Sequence, residues 1–206
     1  MSLYNDLTID FGIISNENIS DGITEKIDTS LFVAKKFLEK IPSVILPKEK
    51  NRRYFEITSE GFLYFIIGAR DALLQKINYA QFFNPIPDSK VTLESIKRKL
   101  NENKGNDRLA KVLQLLENCT QEPIKLSPKI GDTDRSKSWL LELNNMRNQI
   151  SHKGILYIAI ENEWDTPAKL LVSDDVRPDN PYEYFSDCYK KFIELDNNIT
   201  ELLQKG

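Results

Sequence analysis

Apolar residues recur at steps of three and four in several stretches of the chain, which is the spacing of one buried helix face. The first such stretch covers residues 21–42 and ends at Pro42, a residue that cannot continue a helix. Each periodic position in this stretch is expected to be in the core. These positions are Ile23, Ile27, Leu31, Ala34, Leu38 and Ile41.

The second periodic stretch, residues 59–83, is the most apolar part of the chain. It contains an uninterrupted apolar run at 62–67, so this helix is expected to be buried on most sides. Its core-facing positions are Phe62, Phe65, Ile66, Ala69, Leu73 and Ile77. The preceding segment 44–58 is basic and contains a proline, which predicts a connection between the two helices. Its KEKNRR run favours a solvated linker, although the same charges can contact a phosphate backbone.

Four further helices are predicted in the rest of the chain. Two short ones cover about 92–103 and 106–118 on either side of Gly105, and a third carries the segment 138–153. The last helix, which closes the chain, has Phe185, Tyr189, Phe192, Ile199 and Leu202 along one side.

Between the last two helices the period changes from helical to strand-like. ILYIAI and AKLLVS, on either side of ENEWDTP, predict a small β-hairpin near residues 155–174. The expected fold is therefore mostly all-α, an antiparallel helical bundle with this hairpin as an insertion. We expect one domain over residues 1–206, with an irregular segment at 1–20 and the insertion spanning about 155–180.

Composition narrows the class of protein. A hydrophobic fraction of 40% and a charged fraction of 29% are typical of soluble globular proteins. There is no membrane-length apolar segment and no signal-peptide pattern at the N-terminus, so a cytoplasmic protein is expected. Cys119 and Cys188 are isolated and predict two structural thiols. With a single histidine and no cysteine cluster, neither a metal site nor a cofactor is expected.

The segment SWLLELNNMRNQISHKG, residues 138–154, contains the only histidine of the chain. On a helical wheel its apolar residues form one core-facing stripe, which consists of Trp139, Leu143, Met146 and Ile150. Asn144, Asn148 and Ser151 lie on a different, polar face. Arg147 and His152 border that polar face, about 140° apart around the helix and about 7.5 Å apart along its axis. One helix therefore does not bring both side chains to the same atom, whereas two antiparallel copies across a dimer axis can.

These residue types suit RNA cleavage. A histidine with a pKa near 6.5 can accept the proton of a ribose 2′-hydroxyl or donate one to the leaving oxygen. An arginine offers a planar fork of donors to a phosphate whose charge increases in the transition state. Asn148 lies one turn before His152 and can either orient the imidazole or bind a phosphate oxygen.

RNQISH, residues 147–152, resembles the R-x4-6-H motif of the HEPN superfamily, and Asn148 matches the polar residue that commonly follows the arginine of that motif. HEPN domains are small helical bundles, and many are metal-independent endoribonucleases of toxin–antitoxin and phage-defence systems. They often dimerise, so that both motifs form one composite site. The resemblance implies that Arg147 and His152 are catalytic and that Asn148 supports them. It also implies RNA as substrate, a homodimer and an antitoxin partner, and it does not extend to residues 155–180.

Further residues are assigned supporting roles near this motif. Asn144 and Ser151 share the polar face, and Asp71, beside Arg70 on the second long helix, matches the acidic residue that HEPN proteins often carry on an earlier helix. An acidic residue in a helix is also commonly only solvated. Between residues 123 and 153 there are six Lys and Arg against three acidic residues, although the chain as a whole has a net charge of −3. This local excess is what an RNA site on an acidic protein requires.

Other interpretations of the same residues stay open. A lone histidine at a helix terminus often caps the helix or occupies a surface position. Trp139 and Trp164 are expected as a core anchor and a loop cover rather than as base-stacking platforms. The protein can therefore be an endoribonuclease or a non-catalytic HEPN-like partner that binds a nucleotide or another chain such as a nucleotidyltransferase. The third interpretation is a helical bundle with no link to nucleic acid.

Overall fold

The computed structural model describes residues 16–41, 49–82, 85–126, 133–153, 158–159, 169–172, 175–176 and 180–204. Within these residues the chain forms six α-helices, which confirms the mostly helical fold expected from the sequence. They are α1 (Asn16–Leu38), α2 (Glu49–Gln81), α3 (Leu93–Glu102), α4 (Asp107–Glu117), α5 (Trp139–Lys153) and α6 (Pro181–Gln204).

The β structure consists of five very short strands in two small sheets within the described residues. They are β1 (Ile124–Lys125), β2 (Thr133–Asp134), β3 (Ile158–Ala159), β4 (Lys169–Val172) and β5 (Asp175–Val176). β3 and β4 pair antiparallel with Ile158 opposite Leu170, which confirms the predicted hairpin, and β5 adds to the free edge of β4. The sequence pattern does not indicate the β1–β2 pair, because strands of two residues are too short to show a period of two.

Two helix boundaries differ from the prediction. α1 begins at Asn16, so the segment expected to be irregular is helical from that residue onward; residues 1–15 lie outside the described part. α2 begins at Glu49, ten residues before its predicted start, and includes most of the segment expected as a connection. The physical reason is that no helix breaker follows Pro47 and that Phe55 continues, seven residues earlier, the buried face of Phe62.

α1 and α2 form an antiparallel hairpin with close backbone contact. Phe37 lies over Gly61 and Ser30 faces Gly68, so residue numbers fall along one helix as they rise along the other. The rings of Phe37 and Phe65 stack with their centroids 6.0 Å apart. A Cβ atom on residue 61 would overlap the ring of Phe37, so glycine is required there for the helices to pack at this distance.

α6 runs along α2 in the same direction and closes the core. Phe185 packs on Phe62 with ring centroids 5.1 Å apart, and farther along Lys76 donates to Thr200 at 2.8 Å. The predicted faces of α1, α2 and α6 are confirmed, since each consists of buried residues with a few half-buried ones at the margins. The half-buried ones are Ile23, Phe65, Tyr189 and Leu202.

The turn after α2 is held by one side chain. Asn78 is fully buried, and its amide makes two hydrogen bonds of 2.8 Å with the backbone N–H and C=O of Ile86. α3 and α4 follow with N-caps from Thr92 and Asn106, close to the predicted boundaries. Among the helices that the structure describes, none has an apolar stretch long enough to cross a membrane.

Both thiols are buried, and they do not form a disulfide with each other. Burial raises the pKa of Cys119 to about 12, although the ammonium of Lys97 opposes this shift. The Sγ of Cys119 donates to the carbonyl of Leu116 at 3.2 Å, as expected for a structural thiol just after α4.

Candidate functional site

The start of α5 is anchored by a buried charge pair. The carboxylate of Glu142 is almost fully buried, forms an ion pair with Arg135, and accepts a hydrogen bond of 3.1 Å from the hydroxyl of Tyr184 on α6. In addition, the N–H of Leu140 donates to the carbonyl of Cys119 at 3.0 Å. The first turns of α5 are therefore held against α4 and α6, and this determines which face of the helix is left for the solvent.

The apolar stripe of α5 lies where the sequence predicts it. Trp139, Leu143 and Met146 are buried and Ile150 is half-buried against the core, which confirms Trp139 as a core anchor. Trp164 lies outside the described residues. The polar residues on the other side of α5 are half-buried or exposed, as a face bordering solvent requires.

Asn144 is joined to α2 through Arg70. The Nη1 of Arg70 donates to Oδ1 of Asn144 at 2.7 Å, while Nε and Nη2 both donate to Oδ1 of the neighbouring Asp71, at 3.0 and 2.6 Å. Arg70 is mostly buried and Asp71 is largely exposed, with side-chain exposures of 15% and 55%. Arg70 thus connects Asn144 with Asp71, which lie on different helices and were assigned separate supporting roles.

Arg147 and Asn148 contact each other one turn farther along α5. The Nη1 of Arg147 donates to Oδ1 of Asn148 at 3.1 Å, and both residues are half-buried. Asn148 therefore orients the guanidinium of Arg147. Ser151 is exposed on the same side of the helix.

His152 lies in the last turn of α5, and the placement of its side chain falls outside the described part of the structure. Because Arg147 and His152 belong to one continuous helix, their Cα atoms keep the expected separation of about 140° around the axis. The residues that the structure brings together are therefore Arg70, Asp71 and Asn144 in one group and Arg147 and Asn148 in the next.

A surface pocket of about 380 Å³ adjoins the first group. It lies between α1, α2 and the start of α3, and its charged lining residues are Lys26, Arg70, Asp71 and Asp88. Two cations and two carboxylates balance in this lining, so the pocket has no net preference for an anion. Among the described residues, there is no group of three or more His, Cys, Asp and Glu side chains that could hold a metal ion.

Two features of the site were not predicted from the sequence. Arg70 was noted only as the neighbour of Asp71, and its contact with Asn144 joins residues 74 positions apart, which no local pattern indicates. Glu142 lies four residues before the buried Met146 and shares its face of α5. The position of Glu142 on the core-facing side of the helix is the feature of the sequence that indicates a buried partner for its charge.

Comparisons of this chain with protein-family models, curated proteins and solved structures found no match.

Proposed function

We propose that the protein is a HEPN-like, metal-independent endoribonuclease of a toxin or phage-defence type, which acts on RNA as a homodimer. In this proposal His152 is the general acid and base, and Arg147 stabilises the charge that develops on the scissile phosphate. Asn148 orients Arg147, and Asn144, Ser151 and Asp71 support the polar face around this pair.

The observation that carries the proposal is the pairing of Arg147 with Asn148 on the polar face of α5. A guanidinium held by a neutral amide keeps its full charge, whereas one held by a carboxylate is largely neutralised. A hydrogen bond from Arg147 to a phosphate would be charge-assisted and about twice as strong as one between neutral groups. Within the described residues, this pairing gives the motif arginine a defined position and a neutral partner rather than a carboxylate.

A second copy of the chain is part of the proposal for a geometric reason. The positions of Arg147 and His152 are about 140° apart around one helix, so the reacting phosphate would contact an arginine from one subunit and a histidine from the other. Two α5 helices that cross antiparallel at a two-fold axis provide both pairings in one cleft.

The test is cleavage of RNA by purified protein in the presence of EDTA. Wild-type protein should cleave, whereas His152→Ala and Arg147→Ala should each lower the rate by about 100-fold or more, the range expected for loss of an acid–base group or a transition-state donor. The matched control is Arg98→Ala, which removes an exposed arginine from α3 and should cleave like wild type.

Mixing the two inactive variants tests the shared cleft. A heterodimer of Arg147→Ala and His152→Ala subunits contains one intact arginine and one intact histidine on different chains. Activity should therefore return on mixing if the groups act across the dimer. Absence of cleavage by wild type in EDTA, or full activity of both variants, contradicts the enzymatic proposal and favours a non-catalytic partner protein.

A further inference from the structure

The amides of Asn144 and Asn148 are oriented by arginines in the same way. Each Oδ1 atom accepts a hydrogen bond from a guanidinium, from Arg70 in one case and from Arg147 in the other. Only the oxygen of an asparagine amide can accept a hydrogen bond, so these contacts fix the positions of Oδ1 and Nδ2 in each amide. Both Nδ2 groups consequently face away from the arginines.

The two Nδ2 groups remain available to a ligand. Neither has a hydrogen-bond partner among the described residues, and neither is one of the buried polar atoms without a partner. Asn144 and Asn148 are four residues apart on α5, so their side chains are adjacent and about 6 Å apart along the axis. The four residues Arg70, Asn144, Asn148 and Arg147 form one continuous strip, which we call the donor strip.

The donor strip offers mainly hydrogen-bond donors. Guanidinium groups only donate, and each amide oxygen already accepts one hydrogen bond from an arginine. The strip carries two positive charges. Among the residues that the structure describes, Arg70 is paired with the carboxylate of Asp71, whereas the partner of Arg147 is the neutral amide of Asn148. The ligand that matches such a surface is an acceptor with negative charge, which favours a phosphate over the acceptor edge of a nucleobase, because N7 and O6 of a base carry no charge.

We propose that the donor strip binds the RNA backbone at a phosphate next to the one that is cleaved, with Asn144 as a phosphate-contacting residue and Arg70 as its positioning residue. This inference rests on the proposed function, in which Arg147 contacts the scissile phosphate. Asn144, one turn before Asn148, then contacts the adjacent phosphate through Nδ2. Contacts of this kind hold the strand in register and are independent of base sequence.

The exchange Asn144→Asp removes the Nδ2 donor with almost no change in the shape of the residue. Aspartate has the same shape and still accepts from Arg70, but it replaces the Nδ2 donor with a negatively charged oxygen. The matched control is Asn145→Asp, which adds the same charge at the next residue, about 100° around α5 and off the strip. Circular dichroism of both variants checks that the helices are intact.

Binding is measured with a short fluorescent 2′-O-methyl oligonucleotide, which lacks the nucleophile and stays uncleaved. Asn144→Asp should weaken binding by about tenfold or more relative to Asn145→Asp, as expected for loss of a hydrogen bond to a charged group. Arg70→Gln should weaken binding through the loss of orientation. The loss should be the same for homopolymers of different bases, and it should shrink when methylphosphonate linkages remove the phosphate charge.

Equal affinities of Asn144→Asp and Asn145→Asp overturn the inference, as does a loss confined to one base or an absence of binding by wild type. The two proposals can fail separately. If wild type cleaves RNA and Asn144→Asp binds like the control, the enzymatic proposal is retained and the proposal that the donor strip binds phosphate is wrong. If wild type binds without cleaving and Asn144→Asp loses binding, the strip stands and the enzymatic proposal is wrong.

Discussion

The hydroxyl of Tyr184 at the start of α6 donates a hydrogen bond of 3.1 Å to Glu142 on α5, whose carboxylate is also paired with Arg135. This contact links the helix of the candidate site to the last helix of the chain inside the core. A buried carboxylate is tolerated there because it has the counter-charge of Arg135 and the hydrogen bond from Tyr184. The position of the polar face of α5 depends on this arrangement.

Removing the cation from this pair should strongly destabilise the protein. Arg135→Ala leaves Glu142 buried without its counter-charge, and breaking a buried pair in this way costs about 3–5 kcal/mol. Lys191→Ala removes the cation of a solvent-exposed pair with Asp187 and should cost no more than about 1 kcal/mol. Urea denaturation measures both, and equal losses would show that the buried pair has no special role.

Alanine at two helical glycines should have opposite effects. Gly22 has open space around it, so Gly22→Ala should stabilise the protein by about 1 kcal/mol through helix propensity. Gly61→Ala should instead destabilise it by about 1–2 kcal/mol, because the new methyl group overlaps the ring of Phe37.

A double substitution tests the cause of this difference. In a Phe37→Ala background the overlap is absent, and Gly61→Ala should become stabilising, as it is at Gly22. Thermal unfolding of the four variants measures the change of sign. A loss that persists without the Phe37 ring would assign the effect to the backbone instead.

The turn between α2 and α3 should depend on the amide of Asn78. Asn78→Ala removes both hydrogen bonds to the backbone of Ile86, and each lost partner of a buried polar group costs about 1–3 kcal/mol. Gln81→Ala, three residues later, removes only an exposed contact and should change the stability by no more than about 0.5 kcal/mol. Chemical denaturation distinguishes these outcomes, and similar stabilities would contradict the role of Asn78.

Asp196 should give the stability a specific pH dependence. Burial raises the pKa of this carboxyl above 3.8 and Asp28 adds to the shift, while Lys76 and Thr200 oppose it. The folded state thus holds the proton more tightly than the unfolded state. The contribution of Asp196 to stability is complete below 3.8 and is lost as the pH rises through the folded pKa.

The exchange Asp196→Asn removes this titration. The stability of the variant relative to wild type should therefore increase from acid toward neutral pH, and denaturation across that range measures it. Asn197→Gln, a non-titrating exchange at an exposed position of α6, should keep the same difference from wild type at every pH. A relative stability of Asp196→Asn that falls with pH would contradict the raised pKa.

The buried faces of the helices could be predicted from the sequence because burial follows the helical period directly. Leu31 and Leu38 of α1 and Phe185 and Phe192 of α6 are buried where the spacing places them. The start of α2 could not be predicted in this way. The charged residues after Pro47 contain no apolar positions, so the helical period that includes Phe55 is not visible there. Local polarity suggested a linker, and tertiary packing determined a helix.

The candidate site was predictable only within α5. Asn144, Arg147 and Asn148 share one face because of the helical period, which the sequence contains. The contact from Arg70 to Asn144 depends instead on how α2 packs against α5, and that packing is the sum of many core contacts. Asp71 is paired with its sequence neighbour Arg70, and adjacency in the sequence alone does not predict this ion pair.

The rates at which thiol reagents label the two buried cysteines report on local and global unfolding of the chain. With a pKa of about 12, Cys119 is almost entirely protonated at pH 8, and the folded chain shields it from reagents. Labelling therefore proceeds only from molecules that have opened. Because Cys119 follows α4 and Cys188 lies within α6, the two labelling rates separate local opening of the α3–α4 region from loss of the central bundle.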